Sequence, residues 1–403
     1  HSGWWPLAWM ELDRAAAARH PQIDLDRGAF YENGLAVANR QFRPHLLDHD
    51  RFRGGLDRMR RVIHRGGHTT IADAAVGMYG FEEEWGHLTA VMEQDTTPFR
   101  IQFMPMARGP KGEEPVEASR AWMADLRTRN THRLRFSDHV KLFADGGFFA
   151  ELMMLAPPGY LDGHEGEWLT APPTFEAIAE VAWLAGQHLH VHTTGDLGVE
   201  LALSTLERLQ RDHPRLDHRF TFEHFGVSTP EQVARMARVG AVASVNVYYV
   251  HELDRAFADH TLGYERASQM SRVGSLERAG VPFSLHSDFT MAPARPLYNA
   301  WVAVNRICES GEVMAPNERA TLEAALRAIT SNAAHVLGLD DEIGTLRAGK
   351  SADLVALDAD PWEVGGAGLA DITVRGTVFE GQVFAGDALA PSAPTIAPTG
   401  GRA

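Results

Sequence analysis

The sequence predicts an α/β fold whose parallel strands, with helices between them, curl toward a TIM-like (β/α)₈ barrel followed by a small β unit. Three observations carry this expectation. Seven short apolar runs recur from about residue 66 onward. Amphipathic stretches of helical period fill several of the intervals. Titratable, metal-capable side chains stand at the ends of the runs, where an eight-stranded α/β barrel gathers its chemistry.

Residues 1–65 read as irregular and helical, with Trp and Arg interspersed and no clear sheet pattern. The apolar runs that follow are 69–74, 100–105, 139–144, 188–193, 219–223, 241–247 and 282–287. Helical patterns lie at 175–185, 198–209, 230–239 and 267–279. The third opens on Ser228-Thr229-Pro230, an N-cap followed by proline at the first helical position. Strand and helix in alternation argue for a parallel sheet covered by helices. A closed barrel needs eight strands and seven are countable. An open doubly wound sheet would need only seven, but no Gly-x-Gly-x-x-Gly follows an early strand. The chain opens on His1 rather than methionine, so the eighth strand, first in barrel order, is expected to precede it. Residues 1–65 are then an excursion between barrel strands one and two, and 66–340 the barrel itself.

After a helix expected at 317–337 the pattern changes. Runs at 343–346, 353–357, 372–374, 377–379 and 382–384 are short and bounded by Gly or Asp, which predicts a small β-sandwich portion over 341–387. The Pro-, Ala-, Thr- and Gly-rich tail, 388–403, reads as disordered.

Composition excludes several classes. The 403 residues are 44% hydrophobic and 23% charged, as in an ordinary globular protein. A formal net charge of −15 with no cationic run argues against nucleic-acid binding. No apolar run reaches the roughly 18 residues of a membrane span. A single cysteine, Cys308, excludes an intrachain disulfide and a cysteine-based zinc finger. Cytoplasm and periplasm both stay open, as does a homo-oligomer. Basic charge is almost all arginine, and the three lysines are Lys111, Lys141 and Lys350.

The run ending at Ala144-Asp145 carries Lys141. The run 188–193 carries His188, His190 and His192 at period two, hence on one face. His224 ends the next run but one helix later, and Asp288 follows His286 by two residues. Singly, each has a bland reading: a hydrogen-bonded histidine, a turn aspartate, a snorkelling lysine. Together, imidazole and carboxylate are the ligand set of a borderline divalent ion such as zinc.

Five segments in this order resemble the metal-dependent amidohydrolase superfamily, in particular the YtcJ-like group that includes N-substituted formamide deformylases. They are Val140-Lys141-Leu142-Phe143-Ala144-Asp145-Gly146-Gly147, His192-Thr193-Thr194-Gly195-Asp196, Phe222-Glu223-His224, His286-Ser287-Asp288, and Ala333-Ala334-His335 with the Ile343 to Leu354 stretch. The resemblance covers about residues 66–387. It implies a hydrolase of non-peptide C–N bonds in small amide-type substrates, using one or two divalent ions, zinc by preference. It implies a CO₂-derived carbamate on Lys141, and ligands in Lys141, His192, His224 and Asp288, with Asp288 also the general base and acid. The family's His-x-His pair on strand one does not precede Lys141 here. His190 and His286 share faces with these ligands and are candidates to polarise the substrate or support the ligands. Asp145 and Asp196 read as supporting or turn residues, and Tyr248 and Tyr249 as candidates to line the pocket.

Two other functions are kept in view. One is a non-catalytic barrel acting as a binding or regulatory module. The other is a nucleotide hydrolase, because Gly344-Thr345-Leu346-Arg347-Ala348-Gly349-Lys350-Ser351 fits the phosphate-loop pattern. That loop requires a following helix, and 353–358 reads as a strand, so Lys350 is expected to be a turn lysine.

Overall fold

The computed structural model describes residues 3–4, 13–20, 22–77, 80–108 and 115–386. The tail expected to be disordered and Lys111 lie outside the described residues.

Parallel strands dominate the centre. We number them β1 (Thr70–Asp73), β2 (Arg100–Phe103), β3 (Leu134–Phe136), β4 (His139–Phe143), β5 (His188–Thr193), β6 (Thr221–His224), β7 (Val242–Asn246) and β8 (Phe283–His286). β1, β2 and β3 pair in that order, and β4 through β8 pair in chain order, every pair parallel. The two sheets join at Lys141. Its backbone N–H donates to the Pro105 carbonyl at 2.9 Å, and its carbonyl accepts from Ala107 at 2.7 Å. β3 was not expected. It is the first half of β4, interrupted at Ser137-Asp138, so the seven expected runs are seven steps of one sheet. Among the described residues β1 and β8 are edges that do not pair with each other. The fold is therefore mixed α/β with parallel sheets, as expected, and its closure is not part of the described structure.

Why these residues form these elements is plain from their burial. Val140, Leu142, Leu189, Val191 and Phe222 alternate with polar partners and pack outward against buried helix residues such as Val199, Ala202 and Leu206. Helix Pro230–Val239 starts on a capping box between Thr229 and Gln232 and ends at Gly240, whose φ of 70° is left-handed.

Several local expectations are corrected. The helix expected at 317–337 is a 3₁₀ turn Pro316–Glu318 and two helices, Leu322–Ala328 and Ser331–Val336. Thr321 caps the first, and Thr330 breaks the chain before the second, because hydroxyl side chains favour helix ends over interiors. The helix expected at 267–279 is broken at Ser271, whose φ is 50°. The strand expected at 343–346 is a turn, in which the Ile343 N–H bonds to the Leu339 carbonyl at 2.9 Å. The runs at 372–374 and 377–379 contribute to one strand, Val374–Phe379, paired antiparallel between Leu354–Leu357 and Gln382–Ala385. Among the described residues the C-terminal unit is thus one three-stranded sheet. Within 1–65, strands Gly3–Trp4, Ile23–Asp24 and Ala29–Phe30 form a small antiparallel sheet, each too short to show alternation in sequence. Helices Leu35–Leu46 and His49–Arg65 follow.

The phosphate-loop reading fails. Lys350 Nζ donates to the carbonyls of Asp340 and Ile343, and strand Leu354–Leu357, not a helix, comes next.

The C-terminal sheet is tied to the parallel strands by Arg100 at the start of β2. Its buried guanidinium pairs with Asp353 and with Glu380 at 2.9 Å, and lies 4.8 Å from the Phe379 ring centre. Removing one partner of a buried pair leaves the other charges uncompensated. Arg100→Ala is expected to cost about 3 kcal/mol of stability, read as a lower urea midpoint; an unchanged midpoint would show the clamp to be idle.

Candidate active site

Strand alternation builds a polar interior at the C-terminal ends of the strands. Register pairs Lys141 with His190, His192 with Glu223, and Asn246 with His286. In this frame Lys141, His192, Glu223 and His286 point inward by parity. His224 should point outward beside Phe222. It reaches the same cavity because its φ is 71°, which breaks the alternation. Asp288 follows β8 with φ 49°. Such left-handed backbone costs a non-glycine residue about 1–2 kcal/mol, and strain of this kind clusters at functional sites.

The cavity has a volume of about 1830 Å³. Lys141, His192, Glu223, His224, His286 and Asp288 all line it. The rings of His192 and His224 meet edge to face at 4.5 Å, and those of His224 and His286 at 5.0 Å. His224 Nδ1 lies 3.9 Å from Asp288 Oδ2. His192 Nε2, His224 Nδ1 and His286 Nε2 are buried and have no hydrogen-bond partner among the described residues. Among the described residues no three His, Cys, Asp or Glu side chains already form a group able to hold a metal ion. The donor chemistry nonetheless fits one: orphaned imidazole nitrogens face a carboxylate and a buried amine.

Electrostatics keep these donors in their ligating forms. Burial, then the Lys141 charge, pushes His192 down to about 3. Burial, His192 and Lys141 carry His224 well below the usual histidine range. Burial lowers Lys141, opposed by Glu223 and Asp288, so the amine loses its proton more readily than a free lysine. Burial raises the Glu223 carboxyl, but Lys141 and the His190 hydrogen bond outweigh it and hold it well below the usual carboxylate range.

The remaining sequence candidates are placed differently. His190 is fully buried, behind Glu223 rather than in the cavity lining, with Nδ1 2.6 Å from Glu223 Oε1. Asp145 is a brace. Its carboxylate accepts from the N–H groups of Met154, Thr194 and Gly195 at 2.7–3.0 Å, and burial pushes it up to about 7. Gly198 makes room for it, since an added Cβ would stand 2.2 Å from Asp145 Oδ1. Asp196 accepts from the Ala156 N–H at 2.8 Å. Tyr248 stacks on Tyr298 at 5.6 Å, away from the cavity lining; its neighbour Tyr249 lines the cavity, stacked on Phe148 at 3.9 Å. Glu223 was not singled out by sequence reasoning. Its parity with Thr221 on an inward strand face is the signal that marks it.

Comparison with known proteins places this site in context. Residues 30–385 match the amidohydrolase family. N-substituted formamide deformylase of Arthrobacter pascens is 30% identical over 224 residues, 54% of this chain and 41% of that protein. The protein YtcJ of Bacillus subtilis strain 168 is 25% identical over 248 residues, 60% of this chain and 46% of that one. The chain thus spans less than half the length of these curated relatives. The crystal structure of an uncharacterized metal-dependent hydrolase from Pyrococcus furiosus superposes with a TM-score of 0.64 at 21% identity, covering 82% of this chain and 65% of that one. That likeness is one of fold.

The depressed histidines make a pH prediction. Unfolded, they take up protons near the ordinary histidine value of 6.5; folded, His192 does so only near 3. The unfolded state therefore binds more protons in between, and stability falls with falling pH across that window. Each such histidine contributes a slope of up to about 1.4 kcal/mol per pH unit. Urea unfolding from pH 7 to pH 4 is expected to show this loss, and His192→Asn a shallower one; equal slopes would contradict a neutral His192.

Proposed function

Because the chain belongs to the amidohydrolase family, we propose that it is a metal-dependent hydrolase of non-peptide C–N bonds. The single observation that carries the reading is the set of unpartnered, buried imidazole nitrogens of His192 and His224 beside Asp288 and Lys141. These four residues would hold one or two divalent ions, with zinc the best match to the donor set. When bound, the ion supplies a Lewis acid that polarises a carbonyl and acidifies water.

The chain's own residues do the rest. Lys141, with its amine favoured in the neutral form by burial, is able to add to CO₂, forming an N–C bond and releasing a proton. The resulting carbamate offers anionic oxygen where a lysine offers none. Asp288 takes the proton of the attacking water and passes it to the leaving nitrogen, the two-stage use of one carboxylate. Phe148, Phe149 and Tyr249 form an aromatic wall that limits water around the reacting centre. Burial holds the Tyr249 hydroxyl well above its ordinary range, so it stays protonated and able to donate. The closed eight-stranded barrel belongs to the same proposal. Residues of both edges, β1 and β8, line the cavity, and one further parallel strand seated between them would complete the ring. The region 1–65 is then the excursion that walls the cavity through Glu32 and Leu35.

Metal analysis and amide hydrolysis by the full-length protein test this. Lys141→Ala is expected to lose both bound zinc and turnover. Asp288→Asn is expected to keep most of the metal while losing about a hundredfold or more in kcat. Full activity in either variant would contradict the role assigned to that residue. A wild-type protein without metal, even with zinc and bicarbonate supplied, would instead fit a binding barrel.

A further inference from the structure

Three buried titratable side chains take no part in the chemistry above, and they form one chain of hydrogen bonds. His139 stands at the start of β4, His190 within β5 and Glu223 near the end of β6. The chain therefore climbs from the far end of the sheet to the cavity. His190 Nδ1 lies 2.6 Å from Glu223 Oε1, and His190 Nε2 lies 2.7 Å from His139 Nδ1. A carboxylate can only accept, so His190 Nδ1 carries its proton. His190 Nε2 and His139 Nδ1 then meet across a second hydrogen bond, with one proton between them.

Packing fixes the far end. His139 stacks on His188 at 4.8 Å, and Gly338 approaches so closely that an added Cβ would stand 2.7 Å from His139 Nε2. At the near end Glu223 lines the cavity wall. Among the described residues its Oε2 has no hydrogen bond; His286 Nε2, at 4.0 Å, is too distant for one. An aimed acceptor beside the candidate metal ligands suits one partner best: a donor on the reacting group.

Resting on the hydrolase reading, we propose that Glu223 accepts a hydrogen bond from the N–H of the scissile amide, and that His190 and His139 position it to do so. The substrates are then amides that carry an N–H, primary or secondary. A tertiary amide would leave the carboxylate desolvated and unpaired, a penalty worth about 10- to 100-fold in affinity.

The test uses the full-length protein and a matched pair, N-benzylacetamide and its N-methyl counterpart. Ligand-observed NMR measures their binding to the metal-free protein, and hydrolysis is followed separately with zinc loaded. Wild type is expected to favour the N–H amide about 10- to 100-fold. Glu223→Ala is expected to abolish that preference, chiefly by binding the N-methyl amide more tightly than wild type does. His139→Phe, which removes the hydrogen bond to His190, is expected to erode the preference; His139→Gln, which keeps one, to retain it. A merely structural His139 would leave the ratio unmoved in both. Equal binding of the two amides by wild type, or an intact preference in Glu223→Ala, overturns the proposal. If Glu223→Ala does not fold by circular dichroism, the His139 pair decides alone. Absence of hydrolysis of either amide by zinc-loaded wild type counts against the hydrolase reading, whereas the binding ratio bears on Glu223.

Discussion

Lys141 meets two demands at once. Its backbone joins the two runs of parallel sheet, through Pro105 and Ala107, so its position is fixed by main-chain hydrogen bonds. Its side chain carries an amine into a buried layer where the charges of Glu223 and Asp288 act on it. Burying an ammonium is costly unless it is paired or neutralised. The surrounding residues answer that cost: the two carboxylates lie toward it, and the imidazoles stay neutral. Arginine, which supplies nearly all other positive charge in this chain, could not take the position, because it stays charged and cannot serve as a neutral amine.

The same layer shows how a sheet departs from its own rule to build a site. Alternation delivers Lys141, His192, Glu223 and His286 inward without strain. His224 and Asp288 reach the cavity only through left-handed backbone. That cost is borne by a rigid frame of buried apolar residues on the outer face, from Val140 to Leu285. Behind the lining, polar side chains hold loops rather than face solvent. Asp145 gathers the loop ends after β4 and β5, and His190 braces Glu223. The site is thus supported from behind, as pre-organised chemistry requires.

Much of this was legible in the sequence. The seven apolar runs and their order follow from period and spacing; Lys141, the histidines of 188–193, His224 and Asp288 stood out as titratable groups on or after the runs, and the family resemblance picked out His192 among them. What was not legible has physical causes. β3 is only three residues, Leu134–Phe136, and merges in space with the next strand. The break of the helix expected at 317–337 depends on the Thr321 cap and on the non-helical backbone of Thr330, and threonine also suits a helix surface. Glu223 sits beside His224, and the more familiar ligand type drew the reading. Tyr248 and Tyr249 are adjacent, and only the rotation of a short helix after β7 sends one to the cavity and the other to Tyr298. The small sheet near the N-terminus is built of two-residue strands, which carry no period.

The central claim is that Lys141, His192, His224 and Asp288 together hold a divalent ion. Diffraction from crystals of the full-length protein, collected on either side of the zinc absorption edge, tests it most directly. The expected result is anomalous density among these four side chains, with added density continuous with Lys141 Nζ for a carbamate. Density at a different set of ligands, or none after growth with zinc and bicarbonate, would contradict it.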